Sequence, residues 1–211
     1  MAATSTESII EVQNHSAEIS LPHYVIWKED SNNDSVLRRR AARVTFPLSD
    51  EDKYHLDLLE RKFDQEEGCA GLAASQIGIP KRFIIFAIRN SPNVIKWRRD
   101  FDLSQIMLKT IWLNPSYMPL TEEKHEDFEG CYSVADVVGP VERFKSIKYE
   151  AYDISGALIT GIAKGFLARV IQHEIDHLDG KLFIDFVDKD RLLNKEEYIK
   201  KYRQPANEEA K

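Results

Sequence analysis

The segment from Gly165 to Leu178 constrains the fold most, because its residues cannot all face water. Phe166, Leu167, Val170, Ile171, His173, Glu174 and His177 crowd much of the surface of any helix built from it. A helix with so few free polar positions is a buried one. Yet it carries the run Gln172-His173-Glu174-Ile175-Asp176-His177. Unpaired polar groups buried with it would cost about 1–3 kcal/mol each. Residues four apart share a helix face, with Cβ atoms roughly 5–6 Å apart. His173 and His177 can therefore bind one metal ion, which leaves Glu174 beside a bound water as a base. The plain alternative is a pair of surface or packed histidines, and a third ligand decides between the two. Catalytic sites of this kind take three protein ligands and keep one position open.

Three places could supply that ligand. A metzincin pattern would continue from His177 through Gly180 to a third His, but Phe183 stands there and a phenyl ring cannot coordinate. A thermolysin-like set would use a downstream Glu, and Glu196 and Glu197 fall in range. The third source is Cys131, within Glu129-Gly130-Cys131-Tyr132-Ser133. The spacing leaves Glu197 and Cys131 both open.

Three ordered segments carry a family resemblance: Cys69-Ala70-Gly71-Leu72-Ala73-Ala74-Ser75-Gln76, Glu129 to Ser133, and Gln172 to His177. They resemble the G-x-G-x-A-A-x-Q, E-G-C-x-S and Q-H-E-x-D-H motifs of peptide deformylases, and the resemblance covers residues 36–186. It implies an α+β, peptide-deformylase-like fold. Antiparallel strands would pack around a central helix carrying the H-E-x-x-H motif, with a further helix at the C-terminus. It also implies removal of the formyl group from N-formylmethionyl nascent peptides, releasing formate.

The same resemblance assigns the site residues. Cys131, His173 and His177 would hold one divalent metal ion. Glu174 would move the proton, while Gln76 and the backbone N–H of Tyr132 would stabilise the oxyanion. Gly71 would let its loop pass close to the substrate. Phe166 and Val170, one turn apart and N-terminal to His173, read either as lining of the methionine pocket or as plain core residues. Glu129 and Asp176 read as supporting carboxylates. A Cys-His-His set is soft and suits Zn2+ or Fe2+. The family implies Fe2+ physiologically, with Zn2+, Ni2+ or Co2+ as occupants of purified protein, and a transient ribosome contact. Two departures stand out: Cys69 replaces the first Gly of the first motif, and Tyr132 replaces the usual Leu after the metal-binding Cys. The competing readings are a thermolysin-like zinc endopeptidase with Glu197 as third ligand, and a non-catalytic metal- or peptide-binding module.

Composition sets bounds around these readings. A chain of 211 residues is most simply one catalytic domain, here 21–205, with a loose N-terminal arm over 1–20 and a tail over 206–211. The net charge of −6 gives no basic field for nucleic acid, so direct sequence-specific nucleic-acid binding is not expected. No apolar run approaches the roughly 20 residues of a membrane span. The first residues lack both a secretory signal and the Arg-rich pattern of a transit peptide. Two cysteines, Cys69 and Cys131, give no disulfide framework. Both are expected reduced in a reducing compartment, bacterial cytoplasm first and an organelle second.

Local patterns place the remaining elements. Ser49 with Asp52 predicts a capped helix carrying Leu56, Leu59 and Phe63, ending by Gly68. Arg82 to Ile88 and Met107 to Leu113 read as strands, the second closed by Asn114-Pro115. Residues 90–104 read as a surface insertion. Ile147 to Ile154 and Ala157 to Ile162 form a hairpin about Ser155-Gly156. Phe183 to Phe186 is predicted as a last short strand, and Lys189 to Arg203 as one mixed-charge helix.

Overall fold

In the computed structural model, which describes residues 20–29, 35–90 and 103–203, the apolar run Phe83–Ile88 is a strand buried on both faces. Successive strand side chains point to opposite faces. Ile84, Phe86 and Ile88 therefore pack toward one core, and Phe83, Ile85 and Ala87 toward another. This two-sided burial explains why the strand reads as an unbroken apolar run. It is β2, after β1 (Gly71–Ala73).

Further along the chain come β3 (Met107–Pro119), β4 (Lys124–Cys131), β5 (Val134–Phe144), β6 (Ser146–Tyr152), β7 (Leu158–Lys164) and β8 (Leu193–Asn194). A five-stranded sheet runs β1-β2-β3-β6-β7 and a three-stranded one β4-β5-β8, and every pairing is antiparallel. Helix α1 (Asp50–Gln65) covers one face of the larger sheet through Leu56, Leu59 and Phe63. Ser49 caps it, accepting from the Asp52 backbone N–H at 3.0 Å and donating its hydroxyl to the Asp52 carboxylate at 2.7 Å.

Helix α2 (Gly165–Leu178) packs against the other face. Its Phe166, Leu167, Val170, Ile171 and Ile175 share a core with Ile84, Phe86, Trp112, Ile147 and Ala163. The expected α+β arrangement, antiparallel strands around the H-E-x-x-H helix, is thus present. The hairpin about Ser155-Gly156 is present as β6 and β7, in register from Ser146↔Lys164 to Tyr152↔Leu158.

Several expectations are corrected. Asn114-Pro115 does not close β3: the strand continues to Pro119 across a register shift between Leu113 and Ser116. The Asn114 amide bonds both the N–H and the C=O of Val44 at 2.9 Å, which holds the irregular backbone in place. Phe183–Phe186 is a 3-10 turn, not a strand, because the Asp185 carboxylate caps the Leu182 N–H at 2.8 Å. The predicted helix over Lys189 to Arg203 is broken. A 3-10 turn at Lys189–Arg191 precedes β8, then a short α3 (Lys195–Tyr198), then a π turn at Ile199–Arg203. Asn194 accepts from the Glu196 N–H at 2.9 Å, so the helix can start only after it. Residues 1–19 of the arm, the tail and most of the 90–104 insertion lie outside the described residues.

Candidate metal centre and active site

Helix α2 carries its polar groups into the space between the two sheets, and nearly all of them are met. His173 Nδ1 lies 2.9 Å from Glu129 Oε2 at the end of β4. Arg143 on β5 clasps both oxygens of Glu129, at 3.0 and 2.9 Å, and also bonds Asp176. Arg169 donates to Glu129 Oε1 at 2.7 Å. Gln172 pairs with the backbone of Phe144, donating at 2.9 Å and accepting at 3.1 Å. Glu129 and Asp176 are thus supporting carboxylates, as expected. Arg143 and Arg169 were not anticipated. The one available signal was the placement of Arg169 a turn before His173 on the same helix.

Three buried atoms of α2 have no hydrogen-bond partner among the described residues: Arg169 Nε, Glu174 Oε2 and His177 Nδ1. The other nitrogen of His177, Nε2, lies 3.3 Å from Cys131 Sγ. Cys131, His173 and His177 each offer a ligand atom, all within 4.8 Å of one another. Metal–sulfur bonds of about 2.3 Å and metal–nitrogen bonds of about 2.0–2.1 Å put tetrahedral ligands about 3.5 Å apart, so the 3.3 Å separation fits an ion. With Nδ1 of His173 engaged by Glu129, its Nε2 is the nitrogen left for the centre. Burial and the neighbouring His173 push His177 well below the usual imidazole range, which keeps the ring neutral and its lone pair available. Glu197 sits exposed on α3 and belongs to no metal-ligating group among the described residues, so the thermolysin-like set is not assembled.

Burial raises the Glu174 carboxyl to about 7 despite the opposing pull of His173. Such a group can both take and give a proton near neutrality. Gly71 makes room for it: a Cβ at Gly71 would lie 2.4 Å from Glu174 Oε1. Gln76 is pinned by the Ala73 N–H, which donates to its Oε1 at 2.8 Å, and its Nε2 reaches Cys131 Sγ at 3.3 Å. A cavity of about 210 Å³ opens here, with Phe166, Val170, Gln76, Tyr132 and Glu174 in its walls. Every residue expected at the site therefore borders one small space or its ligand cluster. Cys69 also borders it, with its thiol donating to the Gly71 carbonyl at 3.0 Å. Both cysteines are free.

The family model of polypeptide deformylase matches residues 30–192. The chain belongs to that family. It is 53% identical over 194 residues to peptide deformylase 2 of Rickettsia conorii, spanning 90% of this chain and 95% of the relative. The class I type b peptide deformylase of Acinetobacter baumannii, solved with Met-Ala-Ser bound, superposes with a TM-score of 0.67 at 28% identity, over 80% of this chain and 99% of that one. The Plasmodium falciparum enzyme in complex with an inhibitor gives a TM-score of 0.63 at 30% identity, over 86% and 97%. The polypeptide deformylase family is metal-dependent, and the sulfur and two imidazoles described above are donors suited to such an ion.

Proposed function

We propose that this chain removes the formyl group from the N-terminal formylmethionine of newly made polypeptides, releasing formate. The observation that carries the reading is the cluster of Cys131, His173 and His177 with the buried Glu174 carboxylate at the rim of one small cavity, in a chain of the deformylase family. That a relative binds Met-Ala-Ser, the product such a reaction would leave, supports the substrate class.

Cys131, His173 and His177 would hold the ion, which when bound makes water acidic enough to attack near neutral pH. Glu174 accepts the proton of the attacking water at its unpartnered Oε2 and delivers it to the departing amine nitrogen. Gln76 Nε2 and the backbone N–H of Tyr132 donate to the oxygen of the formyl group as charge develops there, and loss of one such donor costs about 10²–10³ in turnover. Gly71 keeps the loop against Glu174 and against the substrate backbone. Phe166 and Val170 receive the methionine side chain.

The soft donor set suits Fe2+ or Zn2+. We take Fe2+ as the physiological ion, with Zn2+, Ni2+ or Co2+ able to occupy purified protein. An iron–sulfur-ligand pair of this kind is oxidation-prone, in keeping with a reducing bacterial cytoplasm. Among the described residues, no helix is long and apolar enough to cross a membrane. The substrate emerges at the ribosome, so a transient contact there is part of the reading. Residues 21–205 form the catalytic unit.

The test is formate release from formyl-Met-Ala-Ser by anaerobically prepared protein, with metal content measured alongside. Glu174→Ala should abolish turnover and keep the metal, and Cys131→Ala should lose the metal while Glu197→Ala keeps it. Turnover surviving in Glu174→Ala would overturn the mechanism, and metal retained in Cys131→Ala would overturn the ligand set.

A further inference from the structure

The Tyr132 side chain is unexplained by the reaction, which uses only its backbone N–H. It is 39% exposed, and it stands between two spaces. One is the cavity at Glu174; the other is a trough of about 370 Å³ over the Val134–Val137 stretch. Its ring is not free to swing. Tyr24 stacks on it with ring centroids 4.9 Å apart and planes 6° from parallel. Behind Tyr24, the Lys62 ammonium of α1 sits 4.4 Å from the centre of its ring, itself held 3.1 Å from Glu66.

The segment that delivers Tyr24 is tied down on both sides. The Val25 N–H donates to the Gln76 carbonyl at 2.8 Å, and the Trp27 N–H to the Ser133 carbonyl at 2.8 Å. One short strap therefore bonds the loop of Gln76 and the loop of Cys131, and lays an aromatic ring on Tyr132 between them. Tyr24 covers one face of the ring, and the exposed remainder of Tyr132 borders the cleft.

We propose that Tyr132, backed by Tyr24 and Lys62, is an aromatic platform that selects peptides with a planar side chain at one of the two residues following the formylmethionine. This deepens the deformylase reading and rests on it. The methionine side chain enters beside Phe166 and Val170, so the rest of the peptide leaves over the rim formed by Gly68 to Gly71 on one side and Tyr132 on the other. A flat, solvent-facing ring favours offset stacking with a planar group. A tyrosine already immobilised loses little side-chain freedom when a ligand lands on it, so more of the stacking appears as affinity. The leucine usual at this position offers no such face.

The experiment compares kcat/KM of the metal-loaded enzyme on formyl-Met-Xaa-Ser and formyl-Met-Ala-Xaa, with Xaa as alanine, cyclohexylalanine or phenylalanine. Cyclohexylalanine is as apolar as phenylalanine but puckered, so the pair separates stacking from burial. Phenylalanine should exceed cyclohexylalanine by about three- to tenfold at one position, mainly through KM. Tyr132→Leu, which keeps the backbone N–H, should bring that ratio to about one. Tyr24→Leu should shrink it and Tyr24→Phe should preserve it. Equal values for the two side chains in the wild type overturn the platform whatever the variants do, as does a ratio that survives Tyr132→Leu. No formate from any peptide, formyl-Met-Ala-Ser included, would instead overturn the deformylase reading and take the platform with it.

Discussion

Gly71 and Cys69 sit two positions apart in one motif and are constrained for different reasons. Gly71 has an ordinary φ, so its need is steric: an added Cβ would lie 2.4 Å from Glu174 Oε1 and 2.8 Å from its Cδ. Gly71→Ala should therefore displace the proton-transfer group and leave the ligands in place. The expected result is a fall in kcat of about 10²-fold with metal content unchanged, since a displacement near 1 Å at a reacting group costs about that much. Metal analysis beside steady-state kinetics separates this from simple site loss. Cys69 fills a position where glycine is usual, yet its thiol is buried and bonded to the Gly71 carbonyl. Burial, and after it the nearby Glu174, pushes that thiol up to about 12. The thiolate is the reactive form. At pH 7.5 a thiol reagent should label metal-stripped protein once, at the half-buried Cys131, with Cys69 reacting only on unfolding. Two fast-reacting thiols in native protein would contradict this placement.

At the scale of elements, α1 is fastened at its first turn by Asp52, whose carboxylate meets the Ser49 hydroxyl and the Lys81 ammonium, the latter at 3.0 Å. Burial pushes Asp52 up, but the bonds to Ser49 and Lys81 outweigh it and hold the group below the usual carboxylate range. A depressed carboxyl stabilises the fold above its unfolded value, about 3.9, and the contribution fades as pH falls through the folded value. Asp52→Asn should thus cost about 1 kcal/mol in urea unfolding at pH 7, with the gap to wild type closing below about pH 4. A gap that does not shrink at all between pH 7 and pH 3 would show that geometry, not charge, is responsible.

The same scale shows what the sequence could and could not convey. α1, the β6–β7 hairpin and α2 were legible because each has a period or a cap of its own, and β2 because it is an unbroken apolar run. β4 was not: Lys124-His125-Glu126-Asp127 is polar on both faces, and only its pairing with β5 makes it a strand. The helix beyond Lys189 failed for the converse reason, since Leu193 and Asn194 satisfy a helical pattern but are pulled into pairing with Val138 and Val137. The grouping of Cys131 with His173 and His177 was readable from two local motifs once the family resemblance was applied. The Glu129–Arg143–Asp176 clasp was not, because its members lie 14 and 33 residues from one another and no local pattern links them.

Across the whole molecule, the proposed ligands come from both sheet assemblies, so an ion held by them would join the two. Cys131 ends β4 of the smaller sheet, while His173 and His177 ride on α2, which is packed against the larger one. Without an ion, the polar ties between these bodies include the Arg143 and Arg169 network on Glu129 and Asp176, Gln172 on Phe144, and Gln76 on Cys131. An ion that binds only the folded arrangement stabilises by mass action, about 2.7 kcal/mol when free metal exceeds Kd a hundredfold. For a chain of this size each kcal/mol moves Tm by roughly 2–4 °C. Metal-loaded protein should therefore melt roughly 5–10 °C above chelator-stripped protein in calorimetry. Cys131→Ala should melt at one temperature with or without added metal, because two imidazoles on one helix no longer bridge to the smaller sheet. Glu197→Ala should keep the full difference. If loaded and stripped wild type melt together, the ion does not join the sheets, and the protein's own polar ties hold them.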